Sequence, residues 1–552
     1  MKSITVKLFS VNKLKKHFDK KIFAVPQLQR EFVWNIRKAC DLLDSIYNNY
    51  PVGTILIWDS HRNSLSEFRQ DYISLPLFDN IHNKRIYLII DGQQRLSVLY
   101  HCFIGDLIEN SFYKEVDFSK IYFNLNHKEN DKNNNSSRFK FTKHPDVKTD
   151  IKVSDLLSSS WGNKFKKYSK AKKSMIKNCR EKLLNYKFPL IFINTHDMAE
   201  IEKSFIRINS AGTPLSSADR AIALATNIDL LHNINGVRAQ LNHGFKKIGR
   251  LGLIMTISLI WGSNQVGKKG IESVINKIKN DEEEIENFNK IWLSLRNSYA
   301  LATDFLVHNL GVINFDFLPS QNMLTVLTAL FYYNKNKQPS PIQKEQIKKW
   351  FWYTGIGSRY SGRGYSKNIV DDFNFFKKLG EGKHVKFRLT EMVSINDIKT
   401  ADYSKKGSLS NAYLCLLALN KPKYLQGGGE IPLNEISSRS NKKNKHHIFP
   451  RQHLINKGFN KRYYNSIANI CFLVWKENIE FGFRAPRVYL EDYKHRSYFP
   501  GVMRSHYIPH KKSDGLWDSD SKKGFKKFLD IRAKLICNRF QKVAGVKMFE
   551  KF

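Results

Sequence analysis

The sequence predicts an α+β multidomain protein, and three observations carry that expectation. At 552 residues, 41% of them hydrophobic, the chain exceeds what one core holds, so two or three domains of roughly 100–200 residues each are expected. Short β-rich runs and amphipathic helices alternate from Met1 to Leu224, whereas helical periodicity dominates from Ala225 to Tyr403. After residue 403 a helix around Asn411–Leu419 and a polar, Gly-rich linker, Leu425–Lys445, lead into a short strand-like region and a Lys-rich helical tail. The expected domains are therefore 1–224, 225–403 and 404–552.

Each element has its own signal. TILIW (Thr54–Trp58), RIYLII (Arg85–Ile90) and FPLIFIN (Phe188–Asn194) are short apolar runs bounded by turn residues, and they read as strands. Arg37–Tyr50 has the spacing of an amphipathic helix, and NHKENDKNNNSSR (Asn126–Arg138) reads as an exposed polar loop. In the middle stretch LTVLTALFYYN (Leu324–Asn334) is a clear helix, and GIGSRYSGRGYS (Gly355–Ser366) is the first strong turn signal.

Charge narrows the partner. Lys and Arg number 91 against 50 Asp and Glu, a formal net charge of +41. Such a field attracts polyanions, and nucleic acid is the default partner. A Lys-rich, AT-rich genome produces the same bias, so charge alone decides little. The six cysteines show no C-x-x-C spacing, so neither a zinc ribbon nor a dithiol redox site is visible, and free thiols suit a reducing cytoplasm. The N-terminus lacks the apolar stretch of a signal peptide, and no run approaches the ~20 apolar residues that span a bilayer. A cytoplasmic protein without a membrane partner is expected.

The chemistry concentrates near the C-terminus. KHHIFPRQHL (Lys445–Leu454) sets two histidines before an apolar pair and a proline. Asn469 then opens a strand-like run and Asn478 begins a helix-like one. Phosphodiester hydrolysis needs an activated water, for which neutral imidazole is the natural base near pH 7. It also needs a cation against the charge on the scissile phosphate. A hard cation such as Mg²⁺ keeps several waters and takes few protein ligands. A lone His pair more often caps a turn; here the two Asn residues follow in order.

This stretch resembles the HNH, or ββα-metal, nucleases, whose pattern is D/H-H-x-x-P, an Asn in the second strand, then an Asn or His on the helix. The resemblance implies His447 as general base and Asn469 as the residue that holds the hairpin and orients it. It implies His446 and Asn478 as ligands of Mg²⁺ or Mn²⁺, and Arg451 as a phosphate contact. His446 stands where the wider group often has Asp.

A second constellation lies near the N-terminus. In YLIIDGQQRLSVLY (Tyr87–Tyr100) a β-run stops at Asp91, Gly92 permits a tight turn and a helix begins. A helix N-terminus offers backbone N–H groups to an anion, and Arg suits bidentate phosphate contact. The plain alternative is a turn with glutamines capping the helix. VPQLQREFVW (Val25–Trp34) stands upstream, Asp44–Gly53 between, and FIRINSAGTPL (Phe205–Leu215) downstream.

Together these stretches resemble GmrSD-type restriction endonucleases, including SspE-like and BrxU-like phage-defence proteins. The resemblance implies a ParB/sulfiredoxin-like N-terminal domain, a helical middle region and a C-terminal HNH domain. It further implies that Asp91, Gly92, Gln93, Gln94 and Arg95, with Gln29 and Arg30, bind a nucleoside triphosphate, whether GTP, ATP or another. Leu28 stands where the family commonly has Tyr, so the family's preference among DNA modifications does not transfer directly to this chain.

The expected function is a nucleotide-regulated, metal-dependent endonuclease cutting modified or foreign DNA, phage DNA included. The paired cuts of a duplex make a homodimer, or association with other defence subunits, reasonable. Arg359, Tyr360 and Arg363 in the Ser358–Tyr365 stretch are further DNA-contact candidates, with a solvated interhelical loop as the equal alternative. A nucleotide-gated DNA-binding regulator with a degenerate HNH module, and an RNA-directed nuclease, are the competing expectations.

Overall fold

The computed structural model describes residues 3–25, 32–61, 85–109, 115–127, 137–166, 168–195, 204, 217–225, 228, 230–278, 281–389, 392–403, 407–432 and 445–550. These form two compact units, Met1–His232 and Asn233–Phe552.

The first unit is built on a mixed five-stranded sheet. Its strands are β1 (Ser3–Ser10), β2 (Phe23–Ala24), β3 (Ile55–His61), β4 (Arg85–Asp91) and β5 (Lys187–Asn194), in the spatial order β1-β5-β3-β4-β2. Strand β5 runs antiparallel to β1 and parallel to β3. Side chains alternate across a strand, so Phe188, Leu190 and Phe192 of β5 share one face with Ile55 and Ile57 of β3. Helices α1 (Val11–Asp19), α2 (Ile36–Tyr47), α3 (Gln93–Ile104) and α4 (Lys170–Asn185) bring Leu14, Leu43, Leu96, Leu99, Ile176 and Leu183 into the same core. Each such side chain contributes about 1.5–3 kcal/mol by leaving water. Ser10 and Asn35 cap the first turns of α1 and α2 with their side chains.

Two smaller antiparallel sheets complete this unit. Leu107–Glu109 pairs with Glu115–Asp117, and Ile121–Asn124 lies between Phe139–Phe141 and Asp150–Lys152.

The second unit is mostly helical. Its elements include α5 (Glu282–Leu310), α6 (Gln321–Tyr333), α7 (Pro341–Ile356), α8 (Tyr365–Gly380) and α9 (Ser408–Leu419). Helix α5 starts at the Asp281 cap with Glu282, Glu283 and Glu284 in its first turn, where the helix dipole favours negative charge. Helix α7 starts with Pro341 and a reciprocal Ser340–Gln343 capping box.

Later come a hairpin of β6 (Lys445–His447) and β7 (Ile470–Phe472), helices α10 (Arg451–Asn456), α11 (Lys461–Tyr464) and α12 (Trp475–Phe481), then α13 (Phe499–Ser505) and α14 (Lys522–Ala544). Helix α7 packs against both α9 and α14, and Trp350 and Trp352 of α7 are buried. The stretches 225–403 and 404–552 therefore share a core rather than standing apart. The Trp352 ring packs on Phe540 of α14 at 5.7 Å, while Trp350 is covered by Phe376 of α8. Among the described residues no helix is long and apolar enough to cross a membrane.

Candidate functional site

The C-terminal hairpin is short, and its geometry is imposed by neighbours. Cα partners are Lys445–Phe472, His446–Cys471 and His447–Ile470. Beyond β6 the chain is held by Asn469, which is fully buried. Asn469 Oδ1 accepts the Phe449 N–H at 2.9 Å, and Nδ2 donates to Phe449 O at 3.0 Å and to Tyr464 O at 2.9 Å. One amide thus satisfies both backbone groups of Phe449, whose ring packs on Phe525 and Phe528 of α14 at 4.8 and 4.9 Å. Pro450 then starts α10 and leaves Arg451 exposed in its first turn, 5.2 Å over the ring of Tyr464.

The His447 ring is half-buried, and its Nε2 lies 3.1 Å from Asn465 Oδ1. Burial lowers the imidazole pKa below its usual value; the Asn465 bond opposes this and the Arg451 charge adds to it. The ring is therefore neutral near pH 7. Asn465 in turn donates to the Asp402 carboxylate and, at 3.0 Å, to Tyr403 O. The segment 399–403 lies along this loop: Tyr403 N donates to Asn465 O at 2.8 Å, and Ser466 Oγ donates to Lys399 O at 2.7 Å.

Underneath, Arg532 of α14 is fully buried, with no carboxylate partner among the described residues. Its Nη1 donates to Ala468 O at 2.7 Å, and its Nη2 lies 2.8 Å from Ile470 O, 2.9 Å from His506 O and 2.8 Å from the Tyr413 hydroxyl. Its Nε donates to Tyr507 O at 3.1 Å. One guanidinium thus joins β7 to α9 and to the end of α13.

His506, also fully buried, donates through Nε2 to Lys423 O at 2.7 Å, and burial lowers its pKa to about 4. Above pH 6.5 it is neutral whether folded or unfolded and costs nothing. Below pH 6.5 the unfolded chain takes up a proton that the folded chain refuses, so stability falls by up to about 1.4 kcal/mol per pH unit until pH 4. Urea midpoints measured from pH 7 to pH 4 should fall more steeply for the natural chain than for His506→Leu; equal slopes would refute this.

Helix α12 follows β7 directly. Asn478 is half-buried there, and its carboxamide bonds to no other described residue. Next to it Glu477 is buried; burial pushes its carboxyl to about 7 although Oε1 accepts the Gln426 N–H at 2.9 Å. Its Oε2 is buried without a hydrogen-bond partner. No direct contact joins Asn478 to His447 among the described residues, and the His446 side chain lies outside them. Among the described residues no group of three or more His, Cys, Asp and Glu could hold a metal ion. The Asn478 amide oxygen is thus left open to a ligand from outside the described residues.

In the first unit three separated segments meet at the strand–turn–helix of β4 and α3. Gly92, with φ +93°, opens α3, and a Cβ there would lie 3.0 Å from Ile55. Gln94 is buried, and its Oε1 accepts the N–H groups of Val33 at 2.9 Å and Trp34 at 3.3 Å. Arg95 donates to Val52 O at 2.7 Å, pairs with Asp91 at 3.2 Å and covers Gly53, whose φ is +86°. The positive φ favours glycine at position 53, and a Cβ there would lie 2.5 Å from the guanidinium and push it aside.

These segments lie inside a longer stretch that matches a known family. Residues 11–225 match the family described as the GmrSD restriction endonuclease, N-terminal domain. This part of the chain is a GmrSD N-terminal domain. An uncharacterized protein of Methanocaldococcus jannaschii is 23% identical, with 94% of this chain and 95% of its own length covered.

Within the GmrSD domain the buried Gln94 and the paired Arg95 serve the domain's own backbone, joining the Val33–Trp34 and Val52–Gly53 segments to α3, and Gln93 is buried beside them. Gln29 and Arg30, like Leu28 and the Phe205–Leu215 segment, lie outside the described residues.

Two readings of the sequence change. Tyr360 is 7% exposed and donates to Asp372 at 2.7 Å, and Arg359 forms a two-pronged pair with the same carboxylate at 3.0 and 2.9 Å. Trp350 Nε1 completes the cluster at 3.0 Å. These side chains neutralise and satisfy a buried carboxylate instead of facing DNA; only Arg363 of the three is exposed. The second change concerns His447. Asn469 clamps the hairpin backbone, but the ring itself is held by Asn465, which the sequence reading missed. Asn465 lies four residues before Asn469, with nothing in its local pattern to mark it.

Proposed function

We propose that this chain is a metal-dependent DNA endonuclease of a restriction and phage-defence system, with the β6–β7 hairpin and α12 as its HNH nuclease centre. One observation carries this: a neutral His447 imidazole, hydrogen-bonded by Asn465 on a hairpin locked by Asn469, beside the exposed guanidinium of Arg451. His447 takes a proton from water as the water oxygen attacks phosphorus. The P–O bond to the leaving sugar oxygen breaks, and that oxygen takes a proton from solvent. When bound, Mg²⁺ or Mn²⁺ at His446 and Asn478 supplies positive charge against the phosphate.

Around the hairpin, exposed Arg451, Arg462, Lys522, Lys523, Lys526 and Lys527 offer phosphate contacts to duplex DNA. Lys522 reaches back to the loop after α10, 3.3 Å from a Cβ placed at Gly458. In the GmrSD domain, the resemblance assigns Asp91, Gly92, Gln93, Gln94 and Arg95, with Gln29 and Arg30, to a nucleoside-triphosphate site that licenses cutting; with Gln94 and Arg95 bonded to the domain's own backbone, the N–H groups at the amino end of α3 are the donors proposed for the phosphates.

Supercoiled plasmid and matched modified and unmodified phage DNA, incubated with Mg²⁺ or Mn²⁺ and with or without each nucleoside triphosphate, test the proposal. Nicking or linearisation that EDTA stops is the expected result. DNA binding without cleavage under every condition would overturn it in favour of a regulatory protein.

A further inference from the structure

We infer that Asn465 is a positioning residue that holds the His447 ring proton on Nε2, leaving Nδ1 as the atom that accepts the proton from water. The inference rests on the nuclease reading for its consequence, but its geometry stands apart from that reading.

The argument begins with the amide. An Asn side chain has one end that only donates and one that only accepts. The end of Asn465 away from His447 faces two acceptors, the Asp402 carboxylate and Tyr403 O. Only an NH₂ group satisfies both, so a flipped amide would set its oxygen against a carboxylate and a carbonyl. Asn465 Oδ1 must therefore face His447, and an oxygen that only accepts requires N–H on the ring nitrogen it meets, Nε2 at 3.1 Å. A neutral imidazole carries one proton, so Nδ1 keeps its lone pair. Among the described residues nothing else bonds the ring.

The clamp is itself anchored. Asp402 pairs with Lys461 at 2.8 Å. The backbone on both sides of Asn465 is fixed, by Tyr403 N on Asn465 O and by Ile467 N on Ala401 O at 3.0 Å. The chain Lys461, Asp402, Asn465, His447 alternates donor and acceptor without a break. A residue that orients a reacting group from behind acts through that group and touches no substrate.

The test uses the full chain labelled with ¹⁵N-histidine and kept in EDTA, with long-range ¹⁵N–¹H correlation and His447→Gln for assignment. His447 should show protonated Nε2 and unprotonated Nδ1. In Asn465→Leu the ring should become a mixture of tautomers, and kcat for plasmid nicking should fall about 10–100-fold with KM for DNA little changed. Asp402→Asn keeps Asn465 but frees its amide to flip, so the same mixture should appear more weakly, with a smaller loss of kcat. A natural chain with the proton on Nδ1, or an Asp402→Asn variant with tautomer and kcat unchanged, would overturn the inference. Should Asn465→Leu fail to fold, the natural chain and Asp402→Asn still decide. A correct tautomer in a chain that cuts no DNA would overturn the nuclease reading and leave the clamp standing.

Discussion

His447→Ala is expected to lower DNA cleavage by about 10²–10⁴-fold, the usual contribution of a placed general base, while DNA binding stays near its natural level. Binding survives because the exposed cations Arg451, Arg462, Lys523, Lys526 and Lys527 are untouched. The fold survives because His447 is half-buried and the hairpin is locked by the backbone bonds of Asn469, not by the imidazole. Plasmid nicking and a gel-shift titration on one preparation read both quantities. Natural cleavage by His447→Ala would place the chemistry elsewhere in the chain, whereas loss of binding together with cleavage would make the residue part of the fold.

Arg532→Met should have the largest effect on stability in the second unit, on the order of 4 kcal/mol. Methionine matches much of the arginine volume but donates nothing. The carbonyls of Ala468, Ile470, His506 and Tyr507 and the hydroxyl of Tyr413 would lose a shared partner in the interior. Ala468 and Ile470 flank Asn469, so β7 and the hairpin should loosen first. Hydrogen exchange across 445–472 should rise strongly, with exchange in the first unit unchanged. Unchanged protection there would refute the hub role of Arg532. Arg532→Lys should recover little, since one ammonium cannot span acceptors spread around a planar fork.

Several elements were readable because their signals are local. The runs at 54–58, 85–90 and 188–194 became β3, β4 and β5, and the periodicity of 37–50 became α2. Strand β1 was not anticipated: Ile4, Val6 and Leu8 alternate with polar residues, but they remain exposed, and the strand exists through pairing with β5 far along the chain. The small sheets between 107 and 152 have strands of three or four residues, too short for a period to emerge. Arg359 and Tyr360 sit in a segment that reads as a wet, basic loop, yet Asp372 on α8 draws both inward.

By itself the sequence determined the order of chemical groups in each constellation, because a strand, a tight turn and a helix start are written in neighbouring residues. DGQQR at the head of α3 and HHIFP before β7 were legible for that reason. Only the tertiary structure decided which side chains meet: Asn465 with His447, Asp402 with Asn465, Gln94 with Val33, Arg532 with β7. Such pairings join residues up to 63 positions apart, and they depend on which polar groups lose their water together when the cores close.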